Sequence, residues 1–265
     1  QRSRTGSHDG HVTYRHETAI LKRGREFLVT QPTSHPVSVA HGAGCDPGAL
    51  AGRSGLYAGR MPVERAAILL AAGAGSRFGG THHKLSANLP ARGDDPASSL
   101  VERSLAHVVA ASIGPVIVVT GAVADLVKAS DADGDTPAVI VCHNPSWANG
   151  QSTSLRAGLD VAGRLGATSV VVGLADQPFV EPDAWRAVAA ADGPIVVATY
   201  DGARGNPVKL DAAVWPLLDE PAQRDPDAGA RALMGVRPDL VREVPCTGSP
   251  ADIDTEEDLR RWQRS

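Results

Sequence analysis

The sequence predicts an α/β fold in which helices cover both faces of a mostly parallel sheet. Three observations carry that prediction. From residue 61 onward, short β-rich runs alternate with helical stretches, the order that builds parallel sheets. Several runs, such as Val116–Thr120 and Val170–Leu174, are continuously apolar rather than alternating, as strands covered on both faces must be. The first run, Ala66–Ala72, empties into a glycine-rich loop, and such sheets gather ligands outside the carboxyl ends of their strands.

Taken in order, the strand Ala66–Ala72 leads to a helix at Leu100–Ala111 and a strand at Val116–Thr120. A helix at Ala122–Lys128, a strand at Ala138–Val141 and a helix at Ser152–Leu165 follow. The strand Val170–Leu174 precedes a helix at Asp183–Ala190, and the strand Ile195–Thr199 precedes a glycine-rich loop, Tyr200–Val208. The chain closes with a helix at Ala228–Met234, a weaker strand at Leu240–Val244 and a helix at Thr255–Gln263. Ser152, Thr153 and Ser154 can cap the helix they open. Thr255 with Asp258 three residues on resembles a capping box, and the acidic first turn suits the helix dipole.

Bulk properties narrow the function classes. The chain has 265 residues, enough for a sizeable core, with 42% hydrophobic and 21% charged residues. A net charge of −4 argues against non-specific nucleic-acid binding, and no apolar run approaches the roughly 20 residues of a membrane span. Cys45, Cys142 and Cys246 are scattered and odd in number, which argues against a disulfide framework or zinc ribbon and suits a reducing cytoplasm. Residues 1–60 are rich in Gly, Ser, Arg and His, and the first methionine is Met61. They read as a mostly disordered extension or translated upstream sequence, with the folded domain spanning 61–265.

The glycine loop carries the sharpest chemical signal. Glycines at 73, 75, 79 and 80 leave backbone N–H groups open to an anion, and Arg77 and Lys84 add the charge a polyphosphate needs. It is not a dinucleotide fingerprint, because Phe78 stands where the third glycine belongs. Nor is it a Walker loop, because Thr81 follows Gly80 and the nearest lysine is Lys84. The adjacent His82 and His83 do not have the spacing of a helical metal site and read as polar loop.

Three further segments complete the set. Asp176, in Gly173–Pro178, sits at the end of an apolar strand, where a hard carboxylate beside a polyphosphate suits Mg²⁺. Asp252 and Asp254 precede the last helix in alternation, and Asp254 is the preferred second carboxylate. The hydroxyls and amides of Asn144–Leu159 can serve either as helix caps or as contacts to a base or ribose. Arg204, the one cation of its loop, can meet an anionic acceptor or belong to a simple turn.

Together these pieces resemble the MobA/MocA-like nucleotidyltransferases of molybdenum cofactor maturation. The matching elements are LAAGAGSRFG with Lys84, VVTGA, NPSWANGQSTSLRAGL, DQP, RGNPV, DAGARAL and DIDTEEDL, in that order across residues 63–262. The resemblance implies a Rossmann-like three-layer α/β/α nucleotidyltransferase fold, Mg²⁺ dependence and nucleotidyl transfer with release of pyrophosphate. LAAG at Leu70, Ala71, Ala72 and Gly73 looks like the CTP-using branch. The resemblance places nucleotide contacts there and at Gly75, Arg77, Lys84, Gly150, Ser152 and Ser154, with Arg77, Lys84 and Asp176 catalytic. Metal ligation falls to Asp176 and Asp254, and acceptor contacts to Arg204 and Asn206. The implied partners are CTP, a phosphorylated acceptor such as molybdopterin, and a molybdoenzyme or its chaperone. Guanylyl transfer to another acceptor and a non-catalytic cofactor-delivery module stay open as alternatives. Two departures stand out: Gly79 to Lys84 is longer than usual, and Asn206 replaces a common histidine.

Overall fold

In chain order the computed structural model contains β1 (Arg65–Ala71), β2 (Asn88–Leu89), β3 (Ser98–Ser99), α1 (Leu100–Ala111) and β4 (Val116–Thr120). Next come β5 (Val139–His143), α2 (Gln151–Arg164), β6 (Ser169–Leu174), α3 (Pro182–Ala190), β7 (Ile195–Tyr200) and β8 (Ala203–Asp211). The chain ends with α4 (Asp219–Arg224), α5 (Ala230–Val236), β9 (Val241–Pro245) and α6 (Glu256–Arg264). The structure describes residues 63–79, 83–227 and 229–264. The expected extension 1–60, the inserted Thr81 and His82, and the Ala228 start of a helix lie outside those residues.

Seven strands form one sheet in the order β5-β4-β1-β6-β8-β7-β9. β1 lies parallel between β4 and β6, with Leu69 opposite Val118 and Gly173. Among the described strands of this sheet, β8 alone runs antiparallel to its neighbours, β6 and β7. The continuous apolar runs have the reason expected of them: Ala66–Leu69 of β1 and Val116–Val119 of β4 are wholly buried, covered from both sides.

Successive residues point to opposite faces and so enter two cores. Ala67, Leu69, Val116 and Val118 pack with Leu100 and Val108 of α1 and Trp185 and Val188 of α3. Ala66, Ile68, Ile117 and Val119 pack with Leu155, Leu159 and Ala162 of α2 and with Leu233 and Met234 of α5. The result is the three-layer α/β/α architecture. α1 begins at a capping box in which the Ser99 hydroxyl accepts from the Glu102 N–H and the Ser99 N–H donates to Glu102 Oε2 at 2.8 Å.

Two expectations need correction. Ala122–Lys128 is not a helix: only a 3₁₀ turn forms at Ala124–Leu126, between extended Val123 and Val127 and without a capping side chain. Tyr200–Val208 is not simply a loop, because β8 begins at Ala203 and inserts between β6 and β7. Pro207 is tolerated there because the β7–β8 register shifts between Val197 and Ala198, and Pro207 sits in the bulge where no ladder bond is needed. Of the cysteines, Cys246 is a free thiol, and Cys45 lies outside the described residues. Among the described residues no helix is long and apolar enough to cross a membrane.

Candidate active site

The carboxyl ends of β1 and β6 are joined directly, since the Ala175 N–H donates to the Leu70 carbonyl at 3.0 Å. One residue on, Asp176 leaves the sheet edge. Its backbone carbonyl accepts from the Ile253 N–H at 3.0 Å. Ile253 is wholly buried, so it anchors the segment before α6 onto the end of β6 and carries Asp254 to the same place. Behind Asp254, Thr255 and Asp258 form the capping box: the Thr255 N–H donates to Asp258 Oδ2 at 3.0 Å and the Asp258 N–H to Thr255 Oγ1 at 3.1 Å.

The loop after β1 brings the cations. Gly73, Ala74, Ser76 and Arg77 are exposed at the sheet edge. Gly75 has φ +64°, and a Cβ there would stand 2.8 Å from Lys84 Cβ, so glycine is what lets the loop close against Lys84. His83 braces this approach. A carbonyl only accepts, so His83 Nε2 donates to the Gly73 carbonyl at 2.9 Å, and Nδ1 then accepts from the Leu85 N–H. The expectation of a polar loop at His83 misses its structural role, a side-chain cap on a 3₁₀ turn that is invisible in composition.

Lys84 is where the parts meet. Its Nζ donates to Asp176 Oδ2 at 2.7 Å and to Asp254 Oδ1 at 2.8 Å, and its side chain is only 10% exposed. Arg77, far more open, reaches the other oxygen of Asp254 at 3.0 Å. Burial by itself lowers the Lys84 ammonium, but the carboxylates of Asp176 and Asp254 more than reverse this and hold it above the usual lysine range. Asp252 is pushed up, first by burial and further by the like charges of Asp176 and Asp254, against the pull of its Gln177 hydrogen bond.

The donor set fits a hard divalent cation. Asp176 Oδ1 is buried without a hydrogen-bond partner, an acceptor whose lone pairs are left for a ligand. Among the described residues no group of three or more acids, histidines or cysteines is built to hold a metal. Two carboxylates that leave the other positions to water and phosphate oxygens are what Mg²⁺ ordinarily takes.

The remaining expected site residues divide. Gly150 opens α2 at φ +109°, and a Cβ there would collide with Pro226, whose carbonyl accepts from the Ser152 N–H at 2.8 Å. The expected serine and threonine caps are absent: Gly150 is the N-cap and makes no side-chain cap bond. Ser154 is buried, its hydroxyl accepting from Asn144 Nδ2 at 3.0 Å. Asn206 comes to the Asp176 loop through Gln177, donating to Gln177 Oε1 at 2.9 Å. Arg204 does not join that cluster; it pairs with Glu243 across β7 at 2.7 Å.

The site can be set beside known proteins. A family model described as MobA-like NTP transferase domain matches residues 67–242. No curated protein matches the chain. Among solved structures, Rv0371c from Mycobacterium tuberculosis H37Rv is 28% identical with a TM-score of 0.57, covering 77% of this chain and 100% of that one. A manganese complex of the same mycobacterial protein aligns at 25% identity and TM-score 0.51, covering 76% and 99%. A nucleotidyl transferase from Methanothermobacter thermautotroptrophicus is 24% identical with a TM-score of 0.58, covering 76% and 96%, and shares the fold. The family match runs from β1 into β9 and takes in Lys84 and Asp176, and the chain belongs to the MobA-like NTP transferase domain family of nucleotidyltransferases.

Proposed function

We propose that this protein is a Mg²⁺-dependent cytidylyltransferase that moves CMP from CTP onto a phosphorylated acceptor, with molybdopterin as that acceptor. The observation that carries the reading is the Lys84 ammonium held between Asp176 and Asp254 at the mouth of the glycine loop. An acidic pair, a buried cation and an anion-binding loop on one sheet edge suit a nucleoside triphosphate and little else. The LAAG spelling at Leu70–Gly73 favours CTP over GTP.

In this reading an oxygen of the acceptor phosphate attacks the α-phosphorus. The bond from that phosphorus to the bridging oxygen breaks, and pyrophosphate leaves. The protein contributes position and charge rather than a nucleophile. Backbone N–H groups of Gly73–Arg77 bind the β- and γ-phosphates. Arg77 and Lys84 turn from the carboxylates to those phosphates and neutralise the leaving group. Asp176 and Asp254 would hold the metal, with Asp176 offering its unpartnered Oδ1; when bound, the ion neutralises and polarises the α-phosphoryl oxygens. The manganese complex of the mycobacterial relative supports divalent-metal use.

We assign Gly150 and Ser152 at the start of α2 to the base and ribose, and Arg204 and Asn206 to the acceptor. We assign the catalytic unit to residues 61–265 and place it in the cytoplasm. A molybdoenzyme or its chaperone would take up the product.

The test is a panel of CTP, GTP, ATP and UTP with molybdopterin, read by pyrophosphate release. Release confined to CTP with molybdopterin is the expected result. Equal release with GTP would remove the base assignment, and no release with any nucleotide would remove the proposal.

A further inference from the structure

We infer that Gln177 is a positioning residue that holds the Asp252–Asp254 segment in register with Asp176, an inference that rests on the metal-binding reading above. Its side-chain amide is fully used. Gln177 is 7% exposed. Its Nε2 donates to the Pro250 carbonyl at 2.9 Å and to Asp252 Oδ1 at 2.5 Å. A carbonyl cannot donate, so this end must be the NH₂. Oε1 therefore faces a donor, which Asn206 Nδ2 supplies at 2.9 Å. Asn206 is itself fixed from behind, because the Tyr200 hydroxyl donates to its carbonyl at 2.7 Å.

One buried amide thus ties three chain segments together: the loop after β6, the extended stretch 250–252 and the first half of β8. The segment carrying Asp254 is pinned to β6 at two places, the Ile253 N–H on the Asp176 carbonyl and the Gln177 side chain on Pro250 and Asp252. Without Gln177 the Ile253 backbone bond and the Lys84 bridge between Asp176 and Asp254 remain, but Pro250 and Asp252 lose their side-chain tie to the Asp176 loop. Asp252 is then left without its amide donor beside Asp176 and Asp254, and mutual repulsion pushes the acidic segment outward. Pro178 strengthens the device by keeping Gln177 extended. Gln177 touches neither of the two carboxylates meant for the cation, so it acts through them. Asn206 then has a role besides any contact with acceptor: it orients Gln177.

The experiment titrates Mn²⁺ into the full-length protein by calorimetry, for wild type, Gln177→Ala, Asn206→Ala and the double variant, with circular dichroism to confirm folding. Loss of groups that orient metal ligands typically weakens metal binding about 10–100-fold, and Gln177→Ala should fall in that range. Asn206→Ala should weaken binding less, and should add under about twofold in the Gln177→Ala background, because both act along one path. In pyrophosphate release, kcat should drop while KM for CTP holds. A merely structural role would lower thermal stability and leave Mn²⁺ affinity unmoved. Gln177→Ala that is folded and binds Mn²⁺ within twofold of wild type overturns the inference. Should that variant fail to fold, unchanged Mn²⁺ affinity in Asn206→Ala does the same. A wild type that binds Mn²⁺ yet releases no pyrophosphate sinks the proposed function alone; one that binds no Mn²⁺ sinks both.

Discussion

Lys84→Met removes the ammonium and keeps most of the side chain's volume, so it isolates the charge at the centre of the site. Lys84 makes contacts of 2.7 and 2.8 Å with carboxylates whose side chains are 23% and 31% exposed. At an effective dielectric of about 20, a charge pair near 4 Å interacts with about 4 kcal/mol, and desolvation takes back part of it. Removing one partner of a fully buried pair costs about 3–5 kcal/mol; these acids are partly wet, so about 2 kcal/mol is expected here. For a domain of this size that lowers Tm by about 4–8 °C.

The pH dependence has a definite sign. The folded-state pKa of Lys84 is raised, so its contribution is complete below the ordinary lysine value of about 10.4 and fades as pH climbs through the higher folded value. The gap between wild type and Lys84→Met should therefore be flat from neutral pH to about 10 and close above that. Urea unfolding in metal-free buffer measures it. Saturating Mn²⁺ should restore the variant more than the wild type, since it supplies the missing charge. A variant as stable as wild type without metal, with no differential gain from Mn²⁺, would refute the reasoning.

Three other substitutions follow from the same geometry. Gly75→Ala meets both a left-handed φ of +64° and Lys84 Cβ at 2.8 Å, so it should cost about 1–3 kcal/mol in thermal unfolding and weaken CTP binding. Arg77→Gln changes a side chain that is 79% exposed; stability should stay within about 0.5 kcal/mol while KM for CTP rises several-fold in a pyrophosphate assay. Trp262→Ala removes a ring stacked on Phe179 at 3.8 Å, which links α6 to the Asp176 loop; a loss of about 1–2 kcal/mol in urea unfolding should accompany weaker Mn²⁺ binding.

What the sequence made legible was mostly what a single local rule decides. The runs Ala66–Ala72 and Val170–Leu174 are too apolar for anything but strands covered on both faces, and both form within a residue or two of expectation. β8 escaped because its Gly, Asn and Pro residues spell a turn, and only the bulge opposite β7 makes that spelling compatible with a strand. Ala122–Lys128 misled in the other direction: a short helical pattern lost to Val123 and Val127, which the structure keeps extended.

The site shows the same division. Arg77, Lys84, Asp176 and Asp254 could be named from residue type and place, and the structure brings them to one point. How they pair could not be read. That Lys84 would sit between the acids depends on Gly75 letting two loops touch, a three-dimensional fact. Ser154 looked like a surface hydroxyl at a helix start, but Asn144 reaches in and takes it into the core. Gln177 stood in plain sight in the DQP triplet, yet its three partners lie as far as 75 residues away.

The most direct test of the account replaces Asp176 by Asn and asks whether Mn²⁺ and CTP still bind together. Nearly isosteric, the change removes the negative charge and leaves the β6 end intact. Calorimetry with both ligands should show CTP and Mn²⁺ reinforcing each other in wild type, and no such coupling in a folded Asp176→Asn that no longer releases pyrophosphate. Undiminished coupling and turnover in that variant would contradict the claim that the acids at the end of β6 and before α6 share one metal–nucleotide.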